Sequence, residues 1–394
     1  MRRMRFVKRL ISTVCLALVL CLALSAGSLA AEEKVTPLVR SGGSLTLVVK
    51  EDGTILGWGD SRNGQLGNGT NKVTRTPAPA ALGLDGKDIL DIQCGNENAL
   101  FLMKDGTVFT CGSASHGTQG VGPRQRPVLT PMQIPDLKDI VQITSGFGHN
   151  AALDKDGHVW VWGRNDHGQL GLGDRTARNV PVKMELENIA EVHCGGKFTI
   201  ARDTSGQYWG WGYNDYQVLR ASKVKENVLS PIRLTGLDER KYVTFDCASG
   251  CAFWLDEEGN VWGRGRNDGR QLGNKEALWG QDPNLSRVAI PEKVAELCIY
   301  SACNSALTVN GNVYVWGITR NGQAGHGSGK SYPTPSIAWE HGDAAAVAMG
   351  SLFHILLTKD GTIYAVGKNG YCQLGIFHAS DVYTWTKNGV NVKE

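Results

Sequence analysis

The chain has 394 residues, of which 41% are hydrophobic and 20% charged, a composition that supports a large core and argues against disorder. Its formal charge of +3 is uneven, because residues 1–30 hold five basic side chains and no acidic one, leaving 36 basic against 38 acidic residues beyond them. That balance excludes the electrostatic footprint of a nucleic-acid binder. Fifty glycines point to many tight turns.

The first element in chain order is a basic start (Arg2, Arg3, Arg5, Lys8, Arg9) followed by the apolar run Ile11–Leu24 and the small residues Ser28 and Ala30. This pattern reads as a bacterial-type secretory signal peptide, cleaved after Ala30. The run is short for a bilayer span of about 20 residues, so no stable membrane anchor is expected after cleavage. Leu20 is too bulky for a lipoprotein signal at Cys21. The expected location is therefore extracytoplasmic: the cell envelope or the medium. Residues 31–394 are expected to form a single domain carrying eight cysteines, too few for a disulfide scaffold.

That domain repeats. Turn glycines stand at Gly53, Gly106, Gly157, Gly206, Gly259, Gly311 and Gly361, and six residues after each lies another glycine, from Gly59 to Gly367. A third cluster follows, as in "NGQLG" (Asn63–Gly67) and "HGQLG" (His167–Gly171), degraded to "SHGTQG" and "NDYQVL" in the second and fourth copies. Each copy reads as four short strands; in the third they are roughly "IVQIT", "NAALD", "HVWVW" and "VPVKMEL". Seven near-regular four-stranded units predict an all-β, seven-bladed propeller. Closure is expected from the two ends sharing a blade, with Val35–Val39 beside Asp381–Val392.

The pattern resembles the regulator of chromosome condensation repeat, best in the copy from Ser145 to Gly173. The resemblance implies a seven-bladed ring. The family's eukaryotic founder is a nuclear exchange factor for a small GTPase, and the family is also similar to secreted bacterial propellers, including a proteinaceous inhibitor of β-lactamases. Fold transfers across such a family more safely than function.

Several motifs invite chemistry. Cys94, Cys194 and Cys247 share a slot with serine or aliphatic residues in other copies and read as packing. Cys251 and Cys303 share one with His149, and equivalent positions on neighbouring blades are too far apart for a disulfide. His149 and His354 are read as neutral imidazoles holding a Gly-x-x-His turn. "GHGSGKS" (Gly325–Ser331) lacks the first glycine of a phosphate loop, having Ala324 there, and would need a following helix. Trp58, Trp162, Trp211 and Trp316 recur in one slot and read as wedges between blades. Trp279 lies in a longer fifth-copy loop, Lys275–Ser286.

The variable slots point to function. Arg164, Tyr213, Arg266 and Lys368 follow the second glycine of their copies, and strand alternation puts their loops on the same face as the turns carrying Glu97, Phe147, Lys197 and Phe353. With Trp279, these are the candidate binding residues. Mixed aromatic and charged side chains on a rigid ring suit protein recognition. The leading expectation is an exported, non-enzymatic, monomeric scaffold that binds a protein, with no cofactor, no metal and no nucleic acid. Guanine-nucleotide exchange is the alternative by resemblance, and a cell-wall or carbohydrate enzyme is the third reading, requiring paired carboxylates in the central funnel.

Overall fold

A computed structural model describes residues 34–219, 226–275, 277 and 280–394. The expected signal segment and Trp279 therefore lie outside the described residues. No helix among the described residues is long and apolar enough to cross a membrane. The chain forms seven four-stranded antiparallel sheets, each a meander of consecutive strands. In the third blade the strands are Ile140–Ser145, His149–Asp154, Val159–Gly163 and Arg178–Lys183, as the repeat predicts. The first strand of each blade packs against those of its neighbours and lines a central channel.

Blades 1 to 6 are each tied to the one before by the same device. Trp58, Trp162, Trp211 and Trp316 are fully buried. Their indole N–H groups donate to the carbonyls of Gln373, Thr118, Gln169 and Gln271 in the preceding blade, at 2.7–3.0 Å. The same four carbonyls accept a second bond, from Thr46, Asn150, Thr199 and Asn304 respectively. Both lone pairs of a buried oxygen are thus used at each seam. In blades 2 and 5, which lack the tryptophan, the bond survives: Cys111 Sγ donates to Gln65 O, and Arg264 Nε to Val218 O. In blade 7 the slot holds buried Val366, which packs without a bond. The degraded copies keep the acceptor because it is backbone.

The second glycine of each copy is required by space. At Gly163, φ is +98° and an added Cβ would stand 2.6 Å from the Gly148 carbonyl oxygen. All seven equivalents meet a turn carbonyl at 2.3–2.6 Å, closer than any Cβ tolerates.

Closure differs from the expectation. The N-terminal strand Leu38–Gly42 pairs with Leu45–Val49 in the first blade, while Val382–Asn391 is the outer strand of the seventh, so the two ends share no sheet. The repeat begins with its innermost strand, and the N-terminal segment is simply the first copy's own. The ends still meet. At covalent seams Ile140, Ile189, Val294 and Ala344 donate their amides to Gly106, Gly157, Gly259 and Gly311; Val392 does the same to Gly361. The Val392 carbonyl then accepts from Glu51 N at 2.8 Å. Val392 therefore stands where the next blade would begin, beside Val39, Val48 and Trp58 in one core cluster with Phe353 and Ile355.

Two further expectations change, and the rejection of a phosphate loop holds. Gly280–Arg287 is the outer strand of the fifth blade, so the expected Lys275–Ser286 loop is strand from Gly280 onward. "GHGSGKS" leads into strand Tyr332–Trp339 and no helix follows, which removes the phosphate-loop geometry. His354 pairs with Met349 and so takes the register position of Asn150, one residue beyond that of His149.

Candidate functional site

Which loops share an end of the ring is settled by backbone bonds. In every blade the residue after the second glycine donates its amide to the turn between the first two strands: Arg164 to Gly148 O at 2.7 Å, Tyr213 to Lys197 O at 2.8 Å, Arg266 to Gly250 O at 2.9 Å. On the opposite end, Lys155 donates to Asp139 O and Lys359 to Asp343 O, joining the glycine-turn hairpins to the inter-blade connections. The two sets of loops are thus segregated to two faces.

The long loops on the first face are held by their own side chains. In the third blade Asn165 Oδ1 accepts from Leu170 N at 2.9 Å and Gln169 Oε1 from His167 N at 2.9 Å. The fifth and seventh blades repeat both bonds with Asn267 and Gln271, and with Asn369 and Gln373. The asparagine and glutamine of the motif are thus loop braces, leaving the variable neighbours as the exposed chemistry.

Those neighbours join across blades 3, 4 and 5. Arg164 makes a bidentate pair with Asp166 at 2.6 and 2.9 Å. Beside it, His167 Nε2 lies 3.3 Å from Lys197 Nζ, and the imidazole meets the Tyr213 ring edge-on at 5.1 Å. Lys197 Nζ also sits 5.7 Å from the centre of that ring. Tyr213 packs on Tyr216 at 5.9 Å, and Arg266, paired with Asp268 at 2.8 Å, covers Tyr216 at 5.3 Å. Burial, with the cations Lys197, Arg164 and Arg175, lowers the His167 pKa against the pull of Asp166. The result is a continuous half-buried ledge of two tyrosines, a histidine and three cations, each arginine already oriented by its own aspartate.

Of the remaining candidates, Glu97 is exposed on blade 2 and Lys368 half-buried on blade 7, both on this face but outside the ledge. Phe147 leans inward, its ring 6.1 Å from that of Tyr300 on blade 6. Phe353 is not a surface residue. It is fully buried, because it begins the second strand of its blade in the slot of His149, while the turn tip is Ser351–Leu352. Sequence reasoning missed His167 and Tyr216, though both lie within three residues of a chosen slot. It also missed Arg264, which fills a tryptophan slot.

The funnel does hold carboxylates: Asp91, Asp246 and Glu296 line it, and Glu191 stands behind. Most are committed. Asp91 takes Arg40 at 2.8 Å, and Glu191 takes Arg202 at 2.8 Å, His193 at 3.2 Å and the Thr244 hydroxyl at 2.5 Å. The eight described cysteines are all free, and burial pushes the Cys94, Cys194 and Cys251 thiols up to about 12, consistent with packing. Asp154, Asp156 and His158 lie close enough to hold a metal ion, but Asp154 is already occupied by His158 and Trp160.

Comparison with known proteins gives a family. The model of the RCC1-like domain matches residues 24–294. The E3 ubiquitin-protein ligase HERC2 of Homo sapiens is 30% identical over 351 residues, covering 84% of this chain but only 7% of that protein. The ultraviolet-B receptor UVR8 of Arabidopsis thaliana is 27% identical over 372 residues, covering 89% of this chain and 70% of the receptor. Among solved structures, Prp20p of Saccharomyces cerevisiae, described with its binding to Gsp1p and histones, superposes with a TM-score of 0.75 at 21% identity, over 89% of this chain and 87% of that one. Human WBSCR16 gives 0.73 at 18%, over 84% and 93%. At such identities the structural likeness shows the fold alone.

Proposed function

Since the chain belongs to the RCC1-like domain family, we propose that it is an exported, non-enzymatic propeller whose loop face binds another protein. The observation that carries this reading is the ledge from Arg164 to Arg266. Tyrosine and arginine are the residue types most enriched at binding hot spots, and here they sit on braced loops. Little loop entropy is then lost on docking. Export rests on the basic and apolar start of the sequence. The likeness of the repeat to β-lactamase inhibitory propellers suggests one form such binding takes: occlusion of a secreted enzyme.

The ligase activity in the name of HERC2 belongs to a protein of which this chain spans a small fraction, and we do not carry it over. Nucleotide exchange is the second reading, resting on the resemblance of the repeat to that of the family's founder. An enzymatic reading is weakened by the commitment of Asp91 and Glu191 to cationic partners.

The test is affinity capture with the chain from residue 31 onward, beside Arg164→Glu and Tyr213→Ala variants, run in parallel with nucleotide-release and glycan-cleavage assays. The proposal expects a protein retained by the parent and lost from both variants, with neither activity. Equal capture by all three, or catalysis in either assay, would overturn it.

A further inference from the structure

The inner strands enclose a channel of about 370 Å³, within the range of small-molecule sites, roughly 300–1,000 Å³. Its two sides differ. Blade 7 supplies an apolar wall, Val347, Ala348 and Met349, whereas Asp246 and Glu296 come from blades 5 and 6. At the loop face the Phe147–Tyr300 pair narrows the channel, and the Tyr300 hydroxyl accepts from Gly43 N at 2.7 Å. At the other end Val141 and Ala295 are exposed.

The charges do not balance. Arg40, Arg202 and His193 face Asp91, Glu191, Asp246 and Glu296. Burial opposes protonation of His193, but Asp246 and Glu191 outweigh it and raise its pKa to about 9, so it is a cation at neutral pH. Three positive groups then meet four carboxylates. No hydrogen bond or ion pair to the Glu296 side chain is found among the described residues. Burial holds its pKa above the usual carboxylate value, against the pull of Arg40. A half-buried carboxylate with no cationic side chain in contact loses part of its hydration without compensation.

We propose that the central channel binds a small organic cation, an ammonium or guanidinium head on Glu296 beside Asp246, with a short apolar stem along the Val347–Met349 wall. The ligand supplies the missing positive charge, and the aromatic pair sets the depth to which its stem reaches. A divalent metal fits less well, since hard cations require several oxygen ligands and one free carboxylate does not provide them. The site is independent of the loop-face ledge.

The experiment is calorimetric titration of the full folded chain with n-butylguanidinium and n-butylammonium, with n-butanol and calcium chloride as controls. One-to-one saturable binding of at least one cation is expected, and none of butanol or calcium. Glu296→Gln is expected to weaken binding at least about tenfold while leaving the ligand-free melting temperature unchanged or higher, because it removes an unpaired charge. Arg164→Glu is expected to bind the amine as the parent does, which separates this site from the face. No saturable cation binding up to ~10 mM, equal binding by Glu296→Gln, or equal binding of calcium would each overturn the proposal.

Discussion

Single residues carry two opposed pH responses. His149 is fully buried, and burial lowers its pKa from 6.5 to about 4. Below pH 6.5 the unfolded chain takes a proton that the folded imidazole refuses, so this contribution to stability is complete above 6.5 and is lost as pH falls toward 4. The loss from this residue is on the order of 3 kcal/mol. His193 has the reverse sign. Its pKa of about 9 stabilises the fold fully below 6.5, and that share disappears as pH rises through 9. Urea midpoints from pH 4 to 10 are expected to fall on both sides of a maximum near pH 6.5. His149→Asn should make the acid limb shallower, the rest being carried by buried His354, whose pKa burial lowers to about 3, and His193→Gln should do the same to the alkaline limb.

Glycine gives a second residue-scale test. Gly206 has φ +89° with nothing within 4 Å of a built Cβ, whereas Gly163 has φ +98° and a backbone oxygen at 2.6 Å. Gly206→Ala should cost about 1 kcal/mol, from the backbone conformation alone. Gly163→Ala should cost at least about 2 kcal/mol more, since a carbonyl cannot step aside. Equal melting shifts would show that the close approach is not what fixes the second glycine.

At the scale of elements, the account rests on the seam between blades. Trp162 fills space and donates one bond to Thr118 O at 3.0 Å. Trp162→Phe keeps most of the bulk and should cost about 1–3 kcal/mol, including a buried carbonyl left with one partner. Trp162→Ala should cost about 3–5 kcal/mol. Denaturant midpoints of the two variants check the ordering.

The strands of the blades were legible because glycine turns punctuate alternating runs, and the tryptophan wedges because they recur at one spacing. What the sequence hid was acceptor geometry: a bond to backbone leaves no trace at Gln65 or Val218, whose donors Cys111 and Arg264 replace tryptophan in the next copy. Phe353 was misplaced for a related reason. Taking His354 as the counterpart of His149 shifts the seventh copy by one residue, and in a strand that offset moves a side chain from the tip to the buried face. The ledge was half legible, because its loops are set by spacing but its contacts cross three blades.

For the whole molecule, ring closure and the loop face belong together. The seam between blades 7 and 1 has no shared sheet; it is held by Val392, by Trp58 donating to Gln373 O at 2.9 Å, and by the Ser351–Gly43 bond at 2.6 Å. A ring closed in this way keeps the loops of blades 3 to 5 in fixed relation, which the protein-binding proposal requires. The most direct measurement is site-specific photo-crosslinking: a benzophenone side chain placed at Tyr213 on the loop face and, separately, at Lys155 on the opposite face, irradiated in an extract of the compartment to which the chain is delivered. The account predicts a discrete adduct with a second protein from position 213 and none from position 155. Adducts of equal yield from both faces, or from position 155 alone, would contradict it.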